Sequence, residues 1–303
     1  MNRYDAAPDA PHHSPLETWL RVGLCALTVW AVFRFVVEPR VLAYESHYDP
    51  LVLHAGRFGL LGGIAIAGLL RLSVGGATAI TGGAARGVVA VCLGLMAWAL
   101  RDQTIDQWLI ARNPSLSQPT GAVYWPLLLD FLLLAIGLVP LPFAKSLFDP
   151  PQSAAADLDQ TAGPADWRGL LATLVLGVIV VPFLMGPAVA DTRVKQVYFA
   201  VAAGLPLARW GARKLTNVQS IGGAWVVPFL LGMIGVAVAA MRPAFSLPAG
   251  YQSLTETPAW GLVRPLPLQW ISLGLATILW NVAFPIRASA ATAQPVPAAA
   301  KTS

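Results

Sequence analysis

The 303-residue chain is 56% hydrophobic and 12% charged, about half the charged fraction of a soluble globular domain, which excludes an ordinary water-soluble fold. Its net charge of +5 comes from 20 Lys and Arg against 15 Asp and Glu. These basic residues are scattered near helix ends with no run or aromatic-basic strip, so nucleic acid is not an expected partner and the lipid bilayer is.

Apolar stretches of about 18 residues or more recur along the chain, each long enough at helical rise to cross the roughly 30 Å hydrocarbon core. Lipid leaves no backbone polar group unpaired, and the runs are too continuous for barrel strands. The expected fold is therefore all-α: a polytopic transmembrane helix bundle. Its first twenty residues, "MNRYDAAPDAPHHSPLETWL", lack the basic region, short apolar segment and cleavage site of a secretory signal, so the first span is expected to stay in the mature protein. Spans are expected at 17–37, 51–71, 80–100, 122–144, 168–189, 195–212, 221–241 and 266–286. The third is interrupted by Arg86, and the sixth holds Pro206 and Arg209. Ser14-Pro15-Leu16-Glu17 reads as a capping box for the first helix, and Asp49-Pro50 starts the second in the same manner. Cys25 and Cys92 stand singly inside apolar segments and read as small buried residues.

The polar, Pro- and Ala-rich stretch 148–166 reads as a linker between a first four-helix unit, 1–147, and a second, 167–286. The tail 287–303 has no apolar face and is expected to be disordered. Sequence intervals suggest an internal repeat. Trp19 and Pro39 are spaced as Trp167 and Pro187 are, and Phe58 precedes Gly82-Gly83 as Tyr198 precedes Gly222-Gly223. Four crossings per unit would make the repeat parallel, about an axis normal to the membrane. A small majority of the Lys and Arg falls on the side of both termini, which places the termini in the cytoplasm and the protein in the inner or plasma membrane. The loop 101–121, with Ile105, Trp108 and Leu109 at helical spacing, reads either as an interfacial segment or as a plain connection.

Ionisable side chains concentrate at one depth. His54 and Arg57 stand on one face in the first turns of the second span, Arg34 precedes Glu38 by four residues at the end of the first, and Asp130 sits among leucines early in the fourth. A charge in hydrocarbon costs about 2.5–3.5 kcal/mol and so faces a partner or a wet cavity. An Asp130–Arg57 pair with His54 and Arg34 nearby is the sharper expectation; a structural clamp between helices is the plainer one. Glu45, His47 and Asp49 form an outer-loop polar cluster without zinc spacing, so no metal or other cofactor is expected. Gly59, Gly63 and Ala67 line one face of the second span and suit close helix packing.

No phosphate loop, dinucleotide fingerprint, GxSxG elbow or HExxH helix is present. The leading functional expectation is a non-enzymatic, small-solute or proton-coupled transporter with Asp130 as titrating group. Second stands a structural or accessory subunit, partnered by other membrane proteins or by its own copies. A membrane-embedded enzyme using His54, Glu45 or Asp49 ranks last.

Overall fold

The computed structural model of the chain describes residues 14–38, 59–100, 124–141, 166–186, 194–217, 223–241 and 261–284. Among these residues there is no strand, and eight α-helices make up the fold. They are α1 (Pro15–Val32, widening into a π-turn at Phe33–Val37), α2 (Gly59–Thr81), α3 (Ala84–Ala99), α4 (Trp125–Leu138), α5 (Trp167–Met185), α6 (Val194–Thr216), α7 (Val227–Met241, preceded by a 3-10 turn at Ala224–Val226) and α8 (Pro267–Ala283). Among the described residues, four segments are long and apolar enough to cross a membrane: Pro15–Val37, Gly59–Thr81, Trp167–Met185 and Ala224–Met241. The linker 148–165, the tail 287–303 and the loop 101–121 lie outside the described residues.

The helix boundaries have local causes. Ser14 Oγ accepts from Glu17 N–H at 3.2 Å, as the capping pattern requires, and the Glu17 carboxylate pairs with Arg21 at 2.6 Å. The stretch 72–79, expected to be a connection, instead continues α2, which runs on to Thr81, and the third helix begins at Ala84 and not at 80. The chain then reverses at Gly82, whose φ of +72° suits glycine. Gly83 caps α3, so α2 and α3 form a tight hairpin. Arg86 does not interrupt α3, since its guanidinium is drawn to backbone carbonyls. Pro206 lies inside α6, which runs unbroken to Thr216. Pro228 falls in the first turn of α7 and not at an internal kink, a position where no intrahelical N–H is lost. α4 ends at Val139, whose extended backbone is what a following proline, Pro140, imposes.

The core is organised around α8. This helix packs against α3, α4, α6 and α7, and every residue from Gly261 to Ala276 is buried. α3, buried throughout Val88–Cys92, packs on α1, α2 and α8. The last helix thus shares a core with the first four.

One end of the bundle, called here the termini end, gathers the start of α1 and the end of α8: Trp19 stacks on Phe284 with centroids 4.0 Å apart. Exposed Trp167 and Trp210 occupy the start of α5 and the last turns of α6. The far end carries exposed Phe35, Trp125, Phe183 and Phe199.

Candidate functional site

Asp130 lies on the buried stripe of α4 with Leu127, Leu134 and Leu138, and it is 1% exposed. Two features fix its surroundings. Two turns further along the same face, Gly137 meets α2 so closely that a Cβ there would stand 3.0 Å from the Ala67 carbonyl and 2.9 Å from Leu70 Cβ. Both helices run from the far end toward the termini end. Two turns back, about 10 Å at helical rise, therefore bring Asp130 to the level of Gly63 on α2. The next residue, Phe131, faces Gly232 of α7, and Trp270 of α8 lies against the same glycine. Asp130 is thus held where α4 meets α2, α7 and α8.

Ala67 and Gly63 are buried on α2, with Ala67 forming part of the α4 crossing. Gly59 begins α2 at φ +50°, with open space around its Cβ direction. Arg34 is ion-paired with Glu38 one turn on, and the Glu38 carboxylate also accepts from Trp98 Nε1 at 3.0 Å. That pair ties the end of α1 to the end of α3; α4 does not share it. His54, Arg57, Glu45, His47 and Asp49 lie outside the described residues. Among the described residues, no three His, Cys, Asp or Glu side chains come together as a metal site would require.

A second set of charges was not anticipated as a set. Five arginines donate to backbone carbonyls at or near the C-terminal ends of other helices. Arg21 reaches Ile80 O at 3.0 Å in the last turn of α2. Arg71 reaches Val139 O, the cap of α4. Arg86 reaches Ala283 O at 3.0 Å at the end of α8 and Thr81 O at 3.4 Å at the end of α2. Arg209 reaches Ile278 O of α8 at 2.6 Å. Arg264, 1% exposed, reaches Met185 O at 3.4 Å and Gly186 O at 3.0 Å at the end of α5. Helix C-termini carry unmade carbonyls and the negative pole of the macrodipole, so a guanidinium is the complementary group. In sequence these arginines are single charges interrupting apolar runs. The signal that could identify them is their position opposite another helix's last turn, which requires the packing.

Chemically, the arrangement divides. The arginines act as clasps on helix ends, while Asp130 offers a carboxylate, able to hold a proton or cation, in a low-dielectric seam. Comparison with protein-family models, with curated proteins and with solved structures found no match.

Proposed function

We propose that this is a multi-pass protein of the inner or plasma membrane, with both termini cytoplasmic and all eight helices crossing, built as two parallel four-helix repeats. Two rings of exposed aromatic residues at opposite ends support the crossing, since Trp, Tyr and other aromatics gather at membrane interfaces. Among the described residues, the termini end holds Arg21, Arg86, Arg168, Arg209, Arg213 and Lys214, the far end holds Arg34, Lys195 and Arg264, and Arg71 lies midway along α2; with the small majority over the whole sequence, this supports cytoplasmic termini.

The repeat is supported by recurring contacts. The pairings α1–α2, α1–α3, α2–α4 and α3–α8 recur as α5–α6, α5–α7, α6–α8 and α7–α4, and α4 packs on α8. The recurrence is partial: α2–α3 and α7–α8 have no counterpart of like extent in the other unit, and α1–α2 is much slighter than α5–α6. The registers agree as well. Val29 meets Gly94 where α1 crosses α3, and Gly177 meets Leu231 where α5 crosses α7. Gly137 meets Ala67 where α4 crosses α2, and Gly274 meets Leu205 where α8 crosses α6. The interval from Val29 to Gly177 is 148 residues, 137 separates both Gly94 from Leu231 and Gly137 from Gly274, and 138 separates Ala67 from Leu205.

Within this frame the favoured function is small-solute or proton-coupled transport, with Asp130 as the titrating group and Arg57, six residues before Gly63 in the sequence, as its counter-ion. The observation that carries it is a fully buried carboxylate on α4, the helix that packs on α7 and α8; under the proposed repeat that is the interface between units, where transporters place their sites. The test has two arms. Cys at position 130, in a chain lacking Cys25 and Cys92, should react with a membrane-impermeant reagent from the far side, and Asp130→Asn should abolish proton flux in reconstituted vesicles while leaving assembly intact. A sealed position 130 together with unchanged flux would discard transport.

A second reading, a structural or accessory subunit, draws on the clasping arginines: the intramembrane cations have been committed to holding helices together. It expects Asp130→Asn to alter recovery of partner proteins with the purified chain and to leave flux absent in both forms.

A further inference from the structure

α8 begins inside the bundle. The sequence "GLVRPLPLQW", 261–270, makes a 3-10 turn at Gly261–Val263 and is directed into helix by Pro265 and Pro267, with every residue buried. A helix N-terminus leaves its first N–H groups unmade. Here the Leu266 N–H is satisfied by Gln269 Oε1 at 3.0 Å. Pro267 has no N–H, and Trp270 N–H makes the first helical bond, to Leu266 O at 3.0 Å. Leu268 and Gln269 therefore direct their N–H groups out of the helix mouth with no intrahelical acceptor.

Gln269 adds a further donor. Its residue is 1% exposed, and its Nε2 has no hydrogen-bond partner among the described residues. The bond from Leu266 N–H fixes the amide orientation: the oxygen points at the cap, so the NH₂ group lies beside the same mouth. Trp270 Nε1 is committed elsewhere, to Leu262 O at 3.2 Å. Arg264, three residues before Pro267, adds a fixed positive charge while clasping α5. Every one of these groups donates, and the helix dipole adds to their field.

We propose that the N-terminus of α8 is a binding site for a small monocarboxylate. Two oxygens on one carbon match two donor types, the backbone N–H pair and the Gln269 amide, and the apolar neighbours Leu262, Val263 and Leu266 suit a short hydrocarbon remainder. Asp130 sets the limit on charge. Because Phe131 and Trp270 meet at Gly232, the residues preceding them, Asp130 and Gln269, share a level across the α4–α8 contact. A multiply charged anion such as phosphate would be repelled there more strongly than a monovalent one. The site does not depend on the chain being a transporter, since binding alone defines it.

Acetate is the probe. The full chain, purified in detergent, is titrated with potassium acetate against potassium chloride at equal ionic strength, following the thermal midpoint and, in parallel, the heat of binding. The expected result is a saturable, acetate-specific rise in midpoint with a matching heat. In Gln269→Glu, which keeps an oxygen for Leu266 N–H but replaces the donor by a negative acceptor, apparent affinity should fall at least tenfold. Gln269→Met, near in shape and uncharged, should show the same loss, and stands in if the Glu variant does not fold. Absence of any acetate-specific effect in the wild-type chain overturns the site. So does an undiminished effect in either folded variant.

Discussion

Replacing Arg264 by Met is expected to destabilise the folded chain by about 3 kcal/mol, the range in which hydrogen bonds to charged groups and broken buried ionic contacts fall. The side chain is almost wholly buried and closes the end of α5 through Met185 O and Gly186 O. Met fills similar volume but donates nothing, so the carbonyls at the negative pole of α5 are left inside an apolar bundle. Gln196 Nε2 also reaches Met185 O, which limits the damage to Gly186 and the lost charge. Arg264→Lys should fall between wild type and Met, because the charge is kept while the shorter stem brings its ammonium less close to the two carbonyls that Nη1 reaches. The measurement is equilibrium unfolding in detergent, compared across the three chains. Equal stability for Arg264→Met and wild type would mean that the α5 end is closed by something other than this arginine.

The class of this protein was open to sequence reading because it depends on quantities that tertiary structure cannot change: run length, charge fraction and the need to pair backbone in lipid. Helix ends were read less well. Residues 72–79 carry Gly75, Gly76 and Thr78 and look like a connection, yet α2 continues through them, supported by Arg21 on Ile80 and by the close approach of Gly87 to Thr78. Local propensity disfavoured the helix; packing against α1 and α3 outweighed it. Arg86 and Arg209 read as interruptions because a single chain segment does not say which helix end stands opposite. Asp130 was identifiable as a costly carboxylate from its leucine neighbours alone. Its placement beside α7 and α8 was not, since that follows from Gly232 admitting Phe131 and Trp270, a contact between three helices far apart in sequence.

The α1–α3 and α5–α7 crossings together make a sharper test of packing than either does alone. At the α1–α3 crossing, a Cβ on Gly94 would stand 2.5 Å from the Ala26 carbonyl oxygen and 2.9 Å from Val29 Cβ. Neither can move without moving α1 itself, so Gly94→Ala should force the helices apart. The expected loss is about 3 kcal/mol, the upper part of the overpacking range. At the α5–α7 crossing the glycine is on the other helix. A Cβ on Gly177 would meet Leu231 Cδ1 at 2.6 Å, the far end of a side chain that can change rotamer. Gly177→Ala should cost about 1 kcal/mol, and shortening the obstacle in Gly177→Ala/Leu231→Val should recover most of it. No such rescue is available to Gly94→Ala, because shortening Val29 leaves the Ala26 carbonyl in place. Unfolding midpoints of the three variants, compared with wild type, decide the point. If both glycines tolerate alanine equally, the α1–α3 approach is looser than its backbone contact implies, and the close crossing cannot be what sets the position of α3 against the buried α8.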